Sequence, residues 1–394
     1  MGMIRALRVG NSLLSGEMDA AALETLLAGG ASGDMVRLFS IASQRSALAG
    51  SDEAVTALAG SPLALSILRN IPSAVGVFMG SAFSRGRILA ADRSVLRSLF
   101  LGENQEIVQP YFPWVERYPG FGTQTINALA FGDGLYVAAG NTGLLETSVD
   151  GAAWTERVSG FEGSHIYDVT YGAGLFVAVG QSGKILTSPD GTTWTARTSG
   201  TAQNLNGVVF GGGLFVAAGA AGAMVASEDG ITWTPRTSGF GSTPINTVAY
   251  GGGVYVAGGN SGVLTSSPDA ITWTSRTSNV GGNHIYKIAY GGDRFVTVAN
   301  AGHSSMSFNG LEWRNSNATP TVFASQAVQG VTWGLGMFVA AGTASRIGFS
   351  YDGLNWTSLQ VTTQLGGSFV LSSAAYGDGL FLVAGASGRM ITSW

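Results

Sequence analysis

Histidine is the residue type of this chain whose chemistry and spacing first suggest a site. His165 lies in GSHIYDV and His284 in the matching sequence GNHIYKI, whereas His303 lies in a different context. A three-histidine metal site needs all three imidazoles on one ion, and residues at matching positions of separate repeats stay apart. We therefore expect polar residues at loop ends rather than a metal site, and we expect no cofactor.

Composition narrows the function classes further. The chain contains no cysteine, which excludes a disulfide framework, a thiolate zinc site and a cysteine nucleophile. The formal net charge is −4, from 20 Lys and Arg against 24 Asp and Glu, so nothing favours a nucleic-acid partner. Arg5 and Arg8 interrupt the N-terminal apolar stretch, which therefore does not resemble a secretory signal. No uncharged apolar run reaches about 18 residues, so we expect no membrane insertion.

The elements that must position any site belong to one repeated unit. The stretch at 126–157 recurs at 166–197 and at 205–236, and further copies follow. Each copy alternates apolar and polar residues in short runs between turns, which predicts four antiparallel strands and is typical of a β-propeller. We therefore predict an all-β propeller with four-stranded blades. Aligned glycine pairs count seven copies, at Gly132/Gly134, Gly172/Gly174, Gly211/Gly213, Gly251/Gly253, Gly291/Asp293, Gly334/Gly336 and Gly377/Gly379.

The two ends of the repeat array predict how the ring closes. The seventh copy stops at Trp394 after its third strand, while residues 114–117 match the fourth strand of the first copy, residues 154–157. We therefore predict that strand 114–117 completes the last blade through Trp114 and Arg117, which removes two open sheet edges. Prolines near residue 110 predict a boundary between residues 1–110 and the propeller, residues 111–394.

A turn with the pattern Ser-x-Asp-Gly-x-x-Trp recurs between the third and fourth predicted strands, as in SPDGTTW. Its aspartate can accept hydrogen bonds from backbone amides of the same turn, its glycine takes a positive φ, and its tryptophan packs between blades. Ala270 in place of this glycine should strain or reshape its turn. A calcium or ligand site at each turn is the alternative. The structural residues are Asp150, Trp154, Asp190, Trp194, Asp229, Trp233, Asp269, Trp273, Asn309, Trp313, Asp352 and Trp356.

This turn resembles the Asp box of sialidase-type propellers, which also occurs in sortilin-like receptors, photosystem assembly factors and many virion proteins. For an active sialidase the resemblance implies an arginine triad, a Tyr–Glu nucleophile pair, an Asp acid and an early Arg-Ile-Pro motif. The chain has no such motif. Arg157, Arg197, Arg236 and Arg276 occupy equivalent positions of separate outer strands and cannot converge. We therefore expect no catalytic residues and no enzyme, and a glycosidase is only the third hypothesis.

Two sets of loops differ from copy to copy, those from the fourth strand to the next first strand and those from the second strand to the third. They place polar amides beside aromatic rings that we expect to be exposed, a combination that suits a sugar or a protein surface. The alternative is that these residues only form turns. The longest loops, at 316–326 and 360–369, are the first candidates. The candidate ligand-face residues are Phe161, His165, Phe240, His284, Phe323, Asn141, Gln181, Asn260 and Asn300.

Residues 1–110 contain short segments with helical spacing, such as SDEAVTALAG and SPLALSILRN. They predict a small α-helical domain. They also resemble the short-helix repeats at the start of tailed-bacteriophage tail and fibre proteins, which implies that this domain docks on a virion while the propeller is displayed. The alternative is an ordinary small helical domain of a bacterial protein.

The main prediction is therefore a non-enzymatic phage virion structural protein, assembled in the host cytoplasm. Its partners would be other virion proteins, bound through residues 1–110, and a host-surface glycan or protein. The alternative is a cellular propeller that acts as an assembly scaffold and resembles photosystem assembly factors.

Overall fold

The computed structural model describes residues 114–161, 163–316, 323 and 325–393. These residues form seven separate four-stranded antiparallel sheets, which are the seven blades of a β-propeller. The prediction of seven four-stranded blades is confirmed. The predicted helical domain at 1–110 lies outside the described residues. Among the described residues, no helix is long and apolar enough to cross a membrane.

Blades one to six each take four consecutive strands, and the seventh takes one strand from the start of the propeller and three from its end. The strands are β1 (Trp114–Arg117), β2 (Ile126–Gly132), β3 (Leu135–Gly140), β4 (Leu145–Ser148), β5 (Thr155–Glu156), β6 (Ile166–Gly172), β7 (Leu175–Gly180), β8 (Ile185–Ser188), β9 (Thr195–Arg197), β10 (Leu205–Gly211), β11 (Leu214–Gly219), β12 (Met224–Ser227), β13 (Thr234–Pro235), β14 (Ile245–Gly251), β15 (Val254–Gly259), β16 (Val263–Ser267), β17 (Thr274–Thr277), β18 (Ile285–Gly291), β19 (Arg294–Ala299), β20 (Ser304–Ser307), β21 (Arg314–Asn315), β22 (Val328–Gly334), β23 (Met337–Gly342), β24 (Arg346–Ser350), β25 (Thr357–Gln360), β26 (Leu371–Gly377), β27 (Leu380–Gly385) and β28 (Met390–Ser393).

Single helical turns connect the second and third strands of six blades. They are the 3₁₀ turns Asn141–Gly143, Gln181–Gly183, Ala220–Gly222, Asn260–Gly262, Asn300–Gly302 and Ala386–Gly388. One short α-helix, Thr362–Leu365, lies in the loop before the last blade, within the segment 360–369. These turns and the loops between blades lie at one end of the ring, and the Ser-x-Asp-Gly turns lie at the other.

The ring closes through the pairing that the sequence predicts. Strand β1 pairs antiparallel with β28, with Trp114 opposite Ser393 and Arg117 opposite Met390. The Arg117 side chain also donates a 2.9 Å hydrogen bond from Nε to the hydroxyl of Thr392. The last sheet therefore has the order β1, β28, β27, β26, and one blade joins the two ends of the propeller.

The first strand of every blade is innermost, because it contacts the first strands of both neighbouring blades. In all seven blades, its pairing with the second strand shifts after the first residue, which leaves the second residue unpaired. Such a bulge bends the strand locally and redirects a side chain. The propeller therefore carries seven equivalent redirected positions around its axis.

Neighbouring first strands are held together by an aromatic ring that lies on a glycine. In blade five, the ring of Tyr290 covers the last glycine of the blade-four first strand, Gly251, so closely that an added Cβ would overlap the ring. The same contact occurs at every blade junction. The pairs are Phe131 on Gly377, Tyr171 on Gly132, Phe210 on Gly172, Tyr250 on Gly211, Tyr290 on Gly251, Trp333 on Gly291 and Tyr376 on Gly334.

This contact predicts that alanine substitution has very different effects on stability at two glycines of the fourth and fifth repeats. Gly251→Ala should destabilise the propeller by about 3 kcal/mol, since a methyl group would displace the Tyr290 ring in a tightly packed junction. Gly282→Ala is the matched control, because no atom lies within 4 Å of its added Cβ. Urea unfolding followed by tryptophan fluorescence gives both values, and equal unfolding midpoints would contradict the role of the contact.

Candidate functional site

The recurrent acidic turns are closed by their own backbone. In blade two, Asp190 Oδ1 accepts hydrogen bonds from the amides of Thr192, at 2.8 Å, and Thr193, at 2.9 Å. It also accepts the Ser188 hydroxyl at 3.0 Å. The indole of Trp194 donates to the carbonyl of Gly191, whose φ is +69°. One carboxylate oxygen thus holds the whole turn.

The same bonds form in the other turns with an acidic residue. The aspartates at the equivalent position are Asp150, Asp229, Asp269 and Asp352, each accepting from two amides of its turn. The tryptophan rings differ in burial. Trp233, Trp313 and Trp356 are buried, whereas Trp154, Trp194 and Trp273 are half-buried.

Two substitutions within the turns leave their shape intact. Asn309 Oδ1 accepts from the amides of Leu311, at 2.9 Å, and Glu312, at 3.0 Å, so an uncharged amide performs the same role. Ala270 stands at the glycine position with φ +57°, a left-handed conformation that is unfavourable for alanine. The Asp269 bonds at this turn are 2.8 and 2.9 Å. The turn therefore keeps its shape and carries the strain, which is the first of the two outcomes expected for Ala270.

The aromatic rings proposed for the ligand face are not exposed, which corrects an expectation from the sequence. Phe161, Phe240 and Phe323 are all buried, with at most 5% of their surface accessible. Phe161 packs between blades one and two, against Ile166 and other core residues. These rings follow the outer strand of one blade and anchor the loop to the next. They supply core contacts rather than a binding surface.

His165 and His284 occupy equivalent positions on opposite sides of the ring, as expected, and both bind backbone. His165 Nδ1 accepts the amide hydrogen of Thr142 at 3.1 Å, and His284 Nδ1 accepts that of Ser261 at 3.0 Å. In each case the loop residue closes the 3₁₀ turn of the preceding blade. These histidines therefore link neighbouring blades by hydrogen bonds.

The amide residues of the 3₁₀ turns have similar contacts. Asn141 Oδ1 accepts from Asn127 Nδ2 at 3.0 Å, and Asn260 Oδ1 accepts from Asn246 Nδ2 at 2.9 Å. Gln181 Oε1 accepts from the His165 amide at 3.2 Å. Asn300 lies at the equivalent turn of blade five, where its backbone N–H donates to the His284 carbonyl at 3.0 Å.

The redirected second residues of the first strands form a polar ring around the mouth of the central channel. All seven are partly exposed, and each follows a buried residue. Some of them bind the first residue of the next blade: Asn127 Nδ2 donates to the Ile166 carbonyl at 2.8 Å, and Ser372 Oγ donates to the Ile126 carbonyl at 3.0 Å. We call this set the mouth ring. Its members are Asn127, Tyr167, Asn206, Asn246, Tyr286, Gln329 and Ser372.

One residue further along the strands, an ion pair joins blades two and five. Lys287 Nζ lies 2.8 Å from Asp168 Oδ1 and 2.9 Å from Oδ2. Two blades separate these strands on one side of the ring and three on the other, so the pair crosses the channel. Asp168 Oδ2 also accepts the Val208 amide of blade three at 3.1 Å. The pair forms a floor beneath the mouth ring.

The sequence offered a signal for this pair that was missed. The same position in the other blades holds small residues, Ala128, Gly207, Thr247, Gly330 and Ser373, whereas the two opposite blades carry opposite charges. Small neighbours leave room for the lysine and aspartate to meet. Comparing each strand position across opposed copies would have identified both residues.

The electrostatics of the mouth favour binding by hydrogen bonds. The Asp168 side chain is 8% exposed and accepts from Lys287 and the Val208 amide, while the Lys287 side chain is 31% exposed. An ammonium has three donor hydrogens, so Lys287 keeps donor capacity toward the channel. Burial raises the pKa of the Tyr167 hydroxyl, which stays a neutral donor. Among the described residues, no three His, Cys, Asp or Glu side chains are grouped for a metal ion.

The acidic turns predict a loss of stability in acid. Backbone amides lower the pKa of Asp150, Asp190, Asp229 and Asp269 below their ordinary value. A lowered folded-state pKa gives stability that is present above the unfolded-state pKa and is lost as pH falls toward the folded-state value. Replacing all four residues with asparagine should flatten the fall in melting temperature below about pH 4, because Asn309 shows that an amide keeps the bonds.

Asp378→Asn is the control for that acid series. Asp378 is exposed and lies outside the acidic turns, so its replacement should leave the acid dependence as in the wild type. Melting temperatures at a series of pH values distinguish the two variants. Parallel curves for the fourfold variant and the wild type would show that the turns do not carry the effect.

The cross-channel ion pair predicts that removing only the lysine destabilises the propeller more than removing both charges. Lys287→Met should destabilise the propeller by about 1–3 kcal/mol, because it leaves the Asp168 carboxylate buried and without its cation. Adding Asp168→Ala, which installs the residue of blade one, should recover most of that loss. Denaturant unfolding of the single and double variants checks this, and a double variant less stable than Lys287→Met alone would contradict it.

Comparisons with known proteins agree with the propeller. Residues 116–237 match the family described as the DUF6242 beta propeller domain, and no curated protein matches the chain. The chain is similar to YCF48 from Cyanidioschyzon merolae, at 17% identity and a TM-score of 0.55 over 71% of this chain and 98% of that one. It is also similar to YCF48 bound to D1 peptide, at 16% identity and a TM-score of 0.56, over 71% and 94%. A catalytically inactive virginiamycin B lyase from Staphylococcus aureus with quinupristin shares 11% identity and a TM-score of 0.63, over 72% and 99%. These likenesses show the fold.

Proposed function

We propose that this protein is a non-enzymatic assembly scaffold whose propeller holds a polypeptide segment of a partner at the mouth of the central channel. The observation that carries the proposal is the mouth ring above the Asp168–Lys287 floor. Seven first strands present polar side chains at one level around one axis. A ligand that enters there meets hydrogen-bonding groups on every side.

The chemistry of the mouth suits a peptide. The carboxamide side chain of Gln329 carries both a donor and an acceptor, as a peptide group does. The Asn206 Nδ2 donates to the Ile245 carbonyl at 2.8 Å, and its Oδ1 is an acceptor. Tyr167 and Tyr286 stand on opposed blades and offer ring area together with a hydroxyl, which is why tyrosine is frequent in binding hot spots. Below them, the Lys287 ammonium donates twice to Asp168 and keeps one hydrogen, which matches a carbonyl or carboxylate oxygen.

The other titratable groups near the mouth have structural partners, which supports a binding role over catalysis. The Asp168 carboxylate is bound by Lys287 and by the Val208 amide. His165 and His284 use Nδ1 as an acceptor for backbone amides. A general base must reach a proton of its substrate, and these groups are already committed to the fold.

The likeness to YCF48, a propeller whose solved structure includes a D1 peptide, supports the scaffold reading. It extends over 71% of the chain and therefore includes most of the ring. The virion role stays a prediction from the sequence, because residues 1–110, on which it depends, lie outside the described residues.

The proposal is tested with full-length protein and an array of short peptides of diverse sequence. The peptide that binds most tightly is then titrated by calorimetry against Tyr286→Ala and Tyr167→Ala. Each substitution should raise the dissociation constant about tenfold or more, since a buried tyrosine anchor contributes on the order of 1.4 kcal/mol or more to the binding free energy.

Ile271→Ala is the control for the peptide titration. Ile271 is exposed on an acidic turn at the opposite end of the ring, so its loss should leave peptide affinity unchanged. Saturable binding that depends on the tyrosines supports the proposal. An array without any saturable binder, or equal losses for Ile271→Ala and the tyrosine variants, would overturn it.

A further inference from the structure

A second site is indicated on the outer flank of blade three, where one arginine lacks the partner that its equivalents have. Four arginines at this position of the outer strand donate from Nε to a hydroxyl of the third strand. The pairs are Arg117 with Thr392, Arg157 with Thr147, Arg197 with Thr187 and Arg276 with Ser266, at 2.8 to 2.9 Å. The fifth is Arg236, whose Nε is buried and has no hydrogen-bond partner.

The cause is a single residue of the third strand. Ala226 stands where the four other blades have threonine or serine. In blades five and six the position holds Met306 and Phe349, and the arginine has changed as well, to Ser316 and Leu359. Blade three alone keeps the arginine without the hydroxyl. A buried donor without a partner costs about 1–3 kcal/mol, which a hydroxyl at position 226 would recover.

The missing hydroxyl leaves space. A cleft of about 220 Å³ lies here, and Leu214, Ala226, Glu228, Asp229 and Arg236 are among the residues that line it. Pockets for drug-sized ligands usually span about 300–1,000 Å³. This cleft therefore has room for one small unit, with Arg236 at its wall.

The charges of the lining select the ligand class. Asp229 is an anion, because amides of its turn lower its pKa, and its Oδ1 is bound by the amides of Ile231 and Thr232. Glu228 is an exposed second acid that the other turns lack. Two acids against one arginine disfavour an anionic ligand. A neutral group that accepts from Arg236 and donates to Glu228 satisfies both.

Adjacent hydroxyls of a sugar have this property, since each one is both a donor and an acceptor. Thr232 and Thr234 line the same cleft, and Leu214 and Ala226 give it a small apolar surface. We propose that the blade-three cleft binds one neutral sugar unit through Arg236 and Glu228. This site lies on the outer strand and is separate from the channel mouth, so it does not depend on the peptide proposal.

Ala226→Thr is the decisive variant, because it restores the arrangement of four other blades. It should fill the cleft, give Arg236 Nε its hydroxyl and raise the melting temperature, so that loss of binding cannot be ascribed to misfolding. The measurement is saturation-transfer NMR on the full chain with a panel of methyl glycosides of neutral hexoses. The wild type should show transfer from at least one glycoside, and Ala226→Thr should show none.

Three further samples complete the test. Glu228→Gln should weaken the signal, because it removes the charged acceptor, while Arg197→Gln, the equivalent arginine with its threonine partner, should leave it unchanged. Acetate serves as the anionic probe and should not compete. Absence of transfer from every glycoside, with a higher melting temperature for Ala226→Thr, would mean that only water fills the cleft and would overturn the proposal. Binding that persists in Ala226→Thr, or displacement by acetate, would overturn it as well.

Discussion

The structure depends on the contact between an aromatic ring of one first strand and the terminal glycine of the preceding one. Each of the seven junctions contains it, and at each of them a Cβ would overlap the ring. Innermost strands of a propeller come closest together near the axis, so a side chain on one strand needs an empty position on the next. The glycine has an ordinary negative φ there, and its value lies in the missing side chain rather than in backbone freedom.

That contact fixes the level of every first strand and thereby the geometry of the mouth. With the far end of each strand locked by ring and glycine, the bulge near its start places the second residue at the same height in all seven blades. Equal heights make it possible for blade two and blade five to meet across the channel. The ion pair between Lys287 and Asp168 therefore depends on the closed ring and not on any single blade.

Repetition is what made the fold predictable from sequence and what obscured the site. The closing strand followed from counting, because Trp114 to Arg117 matched a fourth strand that the last copy lacked, and the pairing with β28 bears this out. The burial of Phe161 and Phe240 was missed because a loop position next to glycine resembles an exposed turn. Phe121 holds a similar place before the first blade and is buried too, which shows that a repeated aromatic belongs to the core.

Both sites proposed for this ring lie where one copy departs from the others, and each departure is recognised only by comparison with its neighbours in space. Ala226 fits its own strand, yet it leaves Arg236 Nε without a hydrogen-bond partner. The equivalent arginines of four other blades show that a hydroxyl is missing. Asp168 likewise looks like a polar residue in an inner strand until the opposed copy supplies Lys287. Single-sequence patterns record periodicity along the chain, whereas both departures are defined by partners across sheets and across the axis. Both departures are nevertheless encoded in one chain, because its seven copies can be aligned with each other and each position compared with the same position in the opposed blade.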